Sequence, residues 1–396
     1  MSGANRTAPV VIVGGGLAAA TAAATLRESA YDGELVVYAA EPHLPYERPG
    51  LSKGYLTGEK DADSLLVHPA SWYAEHDVEV RTATRVESID PDEHTVTAGG
   101  VSRAYSQLLL ATGASPRHLP AADRSGAPVA YLRTREDSDR LRSVLAPGRR
   151  IAILGGGFLG LEVAAAARTA EAEVTVLEAL DQPLLRVLGP EVGAVFADLH
   201  RAHGVDLRLG ARVTGFDGDG RRARLTLDGS PDVDADLLVV GIGASPDVAL
   251  AEAAGLAVDD GIVVDERMRT SHPDVLAAGD VARAHHPALG RSVRVEHWDN
   301  AIRQGRVAGH TMAGVEDAAT DLPYFFTDQY DLGMEYVGSI GPDGYDEVVL
   351  HGDVPGRVFR AFWVAGGTVV ATMHVNDWDA SDALRSAVGR SLAELS

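Results

Sequence analysis

The chain has 396 residues, 45% hydrophobic and 23% charged, a globular composition that excludes disordered and fibrous classes. Its formal net charge of −22 argues against nucleic acid as a partner, because phosphate backbones attract Lys/Arg surfaces. Cys is absent, which excludes disulfides, thiolate-held clusters, thiolate zinc sites and a redox-active dithiol.

Residues 1–7 are short and polar and lack the apolar core of a signal peptide, so a cytoplasmic location is expected. Residues 9–13 (P-V-V-I-V) form an apolar run suited to a buried parallel strand. Gly14-Gly15-Gly16 follows, then an Ala-rich helical stretch over 17–29 and a second strand over 34–38. This is a β-α-β unit with the fingerprint Gly14-x-Gly16-x-x-Ala19. Gly14 permits the tight turn, Gly16 lets backbone approach a pyrophosphate, and Ala19 allows close helix–strand packing. The helix N-terminus offers unpaired N–H groups to phosphate. A Gly-rich turn taken alone also occurs in α/β proteins that bind no cofactor.

Three short runs, 78–81, 85–89 and 95–97, read as an antiparallel excursion. Residues 108–111 form a strand ending at Thr112-Gly113. The first pattern then recurs. Arg150–Leu154 meets Gly155-x-Gly157-x-x-Gly160, a helix over 161–169 follows, and Glu173–Leu177 is the next strand. Glu178 sits where a ribose-binding acid is expected, accepting from the 2′ hydroxyl and repelling a 2′ phosphate, which favours NADH. A strand-end Glu is also read simply as solvated. Two such units imply two dinucleotides, and hydride transfer between a flavin and a nicotinamide is the usual reason.

Further strands over 236–240 and 274–278 end at Gly241-Ile242-Gly243 and Gly279-Asp280. His285-His286 reads as a solvated loop, and no His spacing suggests a metal. From about residue 322 aromatics become denser. Residues 357–364 and 368–374 read as an antiparallel pair, and a helix over 381–395 closes the chain. No stretch approaches the roughly 20 apolar residues of a membrane span.

The ordered set Leu44-Pro45-Tyr46-Glu47-Arg48-Pro49-Gly50-Leu51-Ser52-Lys53, Ala111-Thr112-Gly113-Ala114-Ser115-Pro116-Arg117, Gly155 to Glu162, Gly279-Asp280 and Val295-Glu296-His297-Trp298-Asp299-Asn300-Ala301 resembles a known group. These are the FAD-dependent ferredoxin reductases that serve oxygenases, of the putidaredoxin-reductase and rubredoxin-reductase type. The resemblance covers nearly the whole chain. It implies an α/β fold with two Rossmann-like dinucleotide-binding domains in a glutathione-reductase-like arrangement, plus a C-terminal α+β domain. The implied FAD domain spans 1–117 and 246–321, the NAD domain 118–245 and the C-terminal domain 322–396.

The resemblance also implies roles. Gly14, Gly16, Leu17, Ala18 and Ala19 would hold the FAD pyrophosphate, with Ala111, Thr112 and Gly113 beside it. Arg48 and Lys53 would contact the flavin, with Lys53 paired to Glu162 as the catalytic couple. Val86 would lie near the adenine, Arg117 near the pyrophosphate or ribose, and Asp280, next to Gly279, on the ribityl chain. His297 and Trp298 would lie at the flavin, with Glu296 facing the nicotinamide. Gly155, Gly156, Gly157, Phe158, Leu159, Gly160, Glu178 and Gly243 would line the NADH site. Two departures stand out. Ala40 occupies a position where the family often has an acid, with Glu41 or water as its substitute, and Phe326 stands where Trp is frequent.

The implied function is electron transfer from NADH through FAD to a ferredoxin serving a haem monooxygenase or Rieske oxygenase. NADH oxidase, rubredoxin reductase, quinone reductase and a redox-sensing FAD/NAD binding protein remain alternatives. Expected partners are the ferredoxin and NADH, with no nucleic acid, no membrane and a monomeric or weakly dimeric state. Arg283, Arg291, Arg294, Arg303 and Arg306 form the candidate docking patch, unless they neutralise the chain's own carboxylates.

Overall fold

Aliphatic runs without polar interruption form strands that are covered on both faces, and the inner strands of two parallel sheets are built this way. The computed structural model describes residues 8–341 and 344–394. The chain divides into two units: Met1–Glu47, Ala62–Ser115 and Ser245–Pro323 in one, and Arg48–Asp61, Pro116–Ala244 and Tyr324–Ser396 in the other.

In the first unit, Val10–Val13 lies at the centre of a five-stranded parallel sheet. Leu35–Tyr38 and Val78–Arg81 extend it on one side, Gln107–Leu110 and Val275–Ala277 on the other. Strand order therefore reverses between Val10–Val13 and Gln107–Leu110, the kind of crevice where α/β sheets bind ligands. The helix Leu17–Glu28 packs against Trp298–Met312. The crossing is close because Gly305 and Gly309 face Ala18, Ala22 and Thr25.

Two expectations change here. Val78–Arg81 is the parallel edge of the main sheet, and the antiparallel sheet contains Val86–Asp90, Thr95–Ala98 and Val101–Ala104. An edge strand exposed on one side alternates apolar and polar residues, so V-E-V-R mimics an antiparallel strand. His285 and His286 belong to the strand Ala282–His286, and buried His286 hydrogen-bonds the Asp321 carbonyl through Nε2 at 2.9 Å, so the pair is no solvated loop.

The second unit repeats the parallel plan around Arg150–Leu154, with Glu173–Leu177 and Asp206–Arg208 on one side and Leu237–Val240 and Val129–Ala130 on the other. A second, antiparallel sheet runs Tyr324–Gln329, Leu332–Gly338, Thr368–Val375, Val358–Ala365 and Glu347–Asp353. One core packs helical residues against this antiparallel sheet. Leu161, Leu188 and Phe196 pack with Phe325, Tyr336 and Trp363, and the Trp363 indole donates to the Leu188 carbonyl at 3.2 Å.

The closing helix is shorter than its composition suggested. Ser381–Ala387 is helical, but Gly389 adopts φ 89° and donates to the Val369 carbonyl, while Val369 donates to Arg390. Tying the tail to a strand stops the helix, and residue 395 lies outside the described residues.

A glycine-turn cradle in each unit and a buried lysine–carboxylate pair

Gly14 ends its strand at φ 136°, and a Cβ there would strike the Ala111 carbonyl. Only glycine allows the chain to turn there with the two strand ends so close. Gly16 differs. Its backbone is extended (φ −104°, ψ −171°) and a Cβ would meet no protein atom within 4 Å. Neither conformation nor packing accounts for glycine at this position, whereas open space reserved for a ligand does. The helix Leu17–Glu28 that starts there has no side-chain cap and no acid in its first turn. Its first N–H groups and dipole are therefore left to an anion.

Around this turn, Ala18 and Ala19 are buried, and Gly279 passes close to the Ala18 methyl. The Gly279 N–H donates to buried Gln304 at 2.9 Å, which sets the Gly279-Asp280 turn on the helix Trp298–Met312. The Thr112 hydroxyl donates to the Asp247 carbonyl at 2.8 Å, and Asp247 N–H donates to Gly113. His297 immediately precedes the helix, without a side-chain capping bond, and Trp298 begins it. Burial pushes the His297 imidazole down to about 4 against the opposing pull of Asp280, so it is neutral at pH 7. Glu296 is exposed and ion-paired with Arg294. Glu41 accepts the Tyr46 hydroxyl at 2.6 Å, and Ala40 beside it is exposed. Val86 is buried in the unit's core.

The second cradle follows the same rules. Gly155 has φ 110° and faces the Gly241 carbonyl too closely for a Cβ, and Gly160 is pressed against the Gly155 carbonyl. Gly157, like Gly16, is ordinary in backbone (φ −77°, ψ 176°) and open in space. It begins the helix Phe158–Thr169, again without a side-chain cap. The Glu178 carboxylate accepts from Gly156 N at 2.6 Å and Leu180 N at 2.8 Å, which points it at the turn. Phe158 stacks edge-on with Phe325, centroids 5.0 Å apart, while Leu159 is exposed. Arg117 donates to the Ala244 carbonyl at 2.9 Å and its backbone N–H donates to Gly243. Two uncapped helix ends with vacant space at the second glycine fit the pyrophosphates of two dinucleotides.

The second unit also holds an ion pair. Lys53 Nζ lies 2.5 Å from Glu162 Oε1, with side-chain exposures of 19% and 8%. Two hydroxyls complete the shell: Ser52 donates to Glu162 Oε2 at 2.5 Å and Thr327 to Oε1 at 2.6 Å. Three donors, one of them cationic, offset the cost of burying the carboxylate. The ammonium lies 5.7 Å from the Phe326 ring centroid, within cation–π range. Arg48 donates to the Arg133 carbonyl at 2.5 Å. Ser52 and Thr327 were not singled out from sequence. Ser52 neighbours Lys53, a usable hint, but Thr327 lies 165 positions from Glu162 and carries no local signal.

The arginine patch reads differently from its sequence. Arg303 is ion-paired to both Asp299 and Asp321, Arg294 to Glu296 and Asp260, and Arg283 to Asp259 at 2.6 Å. Arg306 reaches Asp321 at 3.8 Å. These four arginines offset the chain's own carboxylates, the alternative that the sequence left open.

Among the described residues, no group of three or more His, Asp or Glu is placed to hold a metal, and no helix is long and apolar enough to cross a membrane. Residues 8–305 match the family described as pyridine nucleotide-disulphide oxidoreductase, and residues 324–393 match the reductase C-terminal family. Putidaredoxin reductase of Pseudomonas putida is 38% identical over 377 residues, 93% of this chain and 88% of that protein. The ferredoxin reductase subunit of 5,5′-dehydrodivanillate O-demethylase from Sphingobium is 40% identical over 371 residues, 92% of this chain and 89% of that protein. In a solved covalent putidaredoxin reductase–putidaredoxin complex, a chain 36% identical superposes with a TM-score of 0.93, covering 98% of this chain and 95% of that one.

Proposed function

The chain belongs to the pyridine nucleotide-disulphide oxidoreductase family, and from that premise we propose that it is a flavoprotein reductase carrying electrons from NADH through FAD to a ferredoxin that serves an oxygenase. The observation that carries this reading is the pair of glycine cradles, one in each unit, each with open space where a pyrophosphate would lie. The disulphide chemistry in the family's description is closed to this chain, which has no Cys.

Bound FAD supplies the conversion of a two-electron donor into single electrons for an iron–sulfur centre. The chain's residues do the rest. Gly14, Gly16 and the helix beginning at Leu17 hold the FAD pyrophosphate, and Asp280 holds the ribityl chain. Gly157 and the helix beginning at Phe158 hold the NADH pyrophosphate. Glu178 accepts the adenine ribose hydroxyls and repels a 2′ phosphate. Lys53, kept in place by Glu162, provides a positive charge where negative charge develops during reduction. The functional division is an FAD domain over 1–117 and 246–321, an NAD domain over 118–245 and a C-terminal domain over 322–396. A net charge of −22 supports a monomer or weak dimer that binds no nucleic acid.

NADH-driven cytochrome c reduction, measured with and without a panel of 2Fe–2S ferredoxins, tests the reading. Turnover that depends on an added ferredoxin supports it. Equal rates with and without every ferredoxin, or a purified protein that takes up no FAD, would overturn it.

A further inference from the structure

The Glu162 carboxylate is the end of a longer buried chain of hydrogen bonds. Thr327 Oγ1, which donates to Glu162, itself accepts from Gln329 Nε2 at 3.2 Å. Gln329 Oε1 faces His200 Nε2 at 2.8 Å, and the Tyr330 hydroxyl stands 3.5 Å from His200 Nδ1. Thr327, Gln329 and His200 are each at most 1% exposed.

The direction of every link follows from its chemistry. A carboxylate only accepts, so Thr327 must donate. Its oxygen is then the acceptor for the Gln329 amide, which turns Gln329 Oε1 toward His200. A carbonyl oxygen only accepts, so His200 carries its proton on Nε2. Burial pushes the His200 imidazole down to about 4, so it is neutral and this tautomer persists at pH 7. Every dipole thus points its positive end toward Glu162, and each bond polarises the next. Lys53 sits at the far end of this row, bound to the oxygen that Thr327 also binds.

A purely structural salt bridge would not require such a row, since Ser52 and Lys53 already satisfy the carboxylate. We propose that Thr327, oriented by Gln329 and His200, is a positioning residue for electron transfer, acting through Glu162 to fix the Lys53 ammonium. The proposal rests on the assigned role of Lys53 in flavin reduction.

The sequence supplies a direct probe. Of 35 basic Lys and Arg residues, only Lys53 and Lys60 are lysines, so side-chain 15N labelling of lysine yields two ammonium signals. Thr327→Val keeps the shape and removes the donor, whereas Thr327→Ser keeps the donor. In Thr327→Val the Lys53 ammonium signal should shift and its protons exchange faster with water, in the protein with and without FAD. The limiting rate of flavin reduction at saturating NADH should fall roughly ten- to hundred-fold, the worth of one charge-assisted hydrogen bond, with NADH affinity within about two-fold. Thr327→Ser should restore both readouts.

A Thr327→Val protein with an unmoved Lys53 signal and parental rate would overturn the proposal, as would a serine variant as slow as the valine one. If Thr327→Val fails to fold, Gln329→Met decides by the same two readouts, since it frees the Thr327 hydroxyl to rotate. Lys53→Ala separates the two layers. If it leaves the limiting rate intact, the reading of Lys53 fails. If it slows reduction while Thr327→Val and Gln329→Met do not, only the relay fails.

Discussion

At the scale of single residues, the two open glycines separate ligand binding from folding. Gly157 lies where a Cβ would touch nothing, so Gly157→Ala should leave the fold intact. Loss of a glycine N-cap should cost at most about 1 kcal/mol of stability. NADH affinity should nevertheless fall about ten-fold or more, because the methyl enters pyrophosphate space. Isothermal titration beside thermal melting checks this, and a large melting loss with unchanged affinity would contradict it. Glu178→Ala should lower the ratio of kcat/KM for NADH over NADPH about ten-fold, because the repulsion of a 2′ phosphate is gone. An unchanged ratio would remove Glu178 from cofactor choice. His200 makes a prediction about acid. Its pKa falls from 6.5 to about 4 on folding, so between those values the unfolded chain binds more protons. Stability contributed by the neutral His200 is fully present above pH 6.5 and is lost as pH falls toward 4, on the order of 3 kcal/mol in all. His200→Gln keeps a donor toward Gln329 and does not titrate. Its melting temperature should therefore fall less between pH 7 and 4.5 than that of the parent, and parallel pH curves would contradict the assignment.

At the scale of elements, the meeting of Leu17–Glu28 with Trp298–Met312 couples both ends of the first unit's cradle. A Cβ on Gly305 would lie 2.6 Å from the Ala18 carbonyl, and one on Gly309 2.7 Å from the Thr25 Cβ. Neither neighbour is a flexible side-chain end, so the helices must separate. Gly305→Val should cost roughly 1–3 kcal/mol by overpacking and lower the melting temperature by about 3–10 °C. It should also weaken FAD uptake, since the displaced helix carries Gln304, which holds Gly279, and begins with Trp298. Fluorescence titration of the apoprotein with FAD is the measurement, and parental affinity would show that the crossing does not position the cradle. The pairing of Arg303 with Asp299 and Asp321 belongs to the same element. Reversing that charge would disturb the helix itself, so Arg303 is a poor probe of docking alone.

At the scale of the whole molecule, charge dominates encounter. With a net −22, and with four candidate docking arginines already facing carboxylates, an acidic ferredoxin meets a repulsive field. kcat/KM for such a ferredoxin should rise several-fold as ionic strength goes from about 0.01 M to 0.15 M, where the Debye length shrinks from ~30 Å to ~8 Å. Turnover with an uncharged quinone should stay level. A ferredoxin rate that falls with salt would instead reveal an attractive patch elsewhere.

The sequence by itself determined the two β-α-β cradles, because an apolar strand, a glycine spacing and a helix start lie within some thirty residues and obey local geometry. The Ser381–Ala387 helix was legible in its start and not in its end, since Gly389 stops it by pairing with a distant strand. Only the tertiary structure decided which groups share the Glu162 carboxylate. Ser52 and Thr327 come to it from 110 and 165 positions away, and hydrogen bonds between such residues leave no periodicity in the chain. The same holds for the arginines near residue 300, whose run in sequence reads as a basic patch. Their charge is offset by Asp259, Asp260 and Asp321, which come alongside only because packing of the strands and helix that carry the arginines closes the distance, since exposed ion pairs are themselves weak.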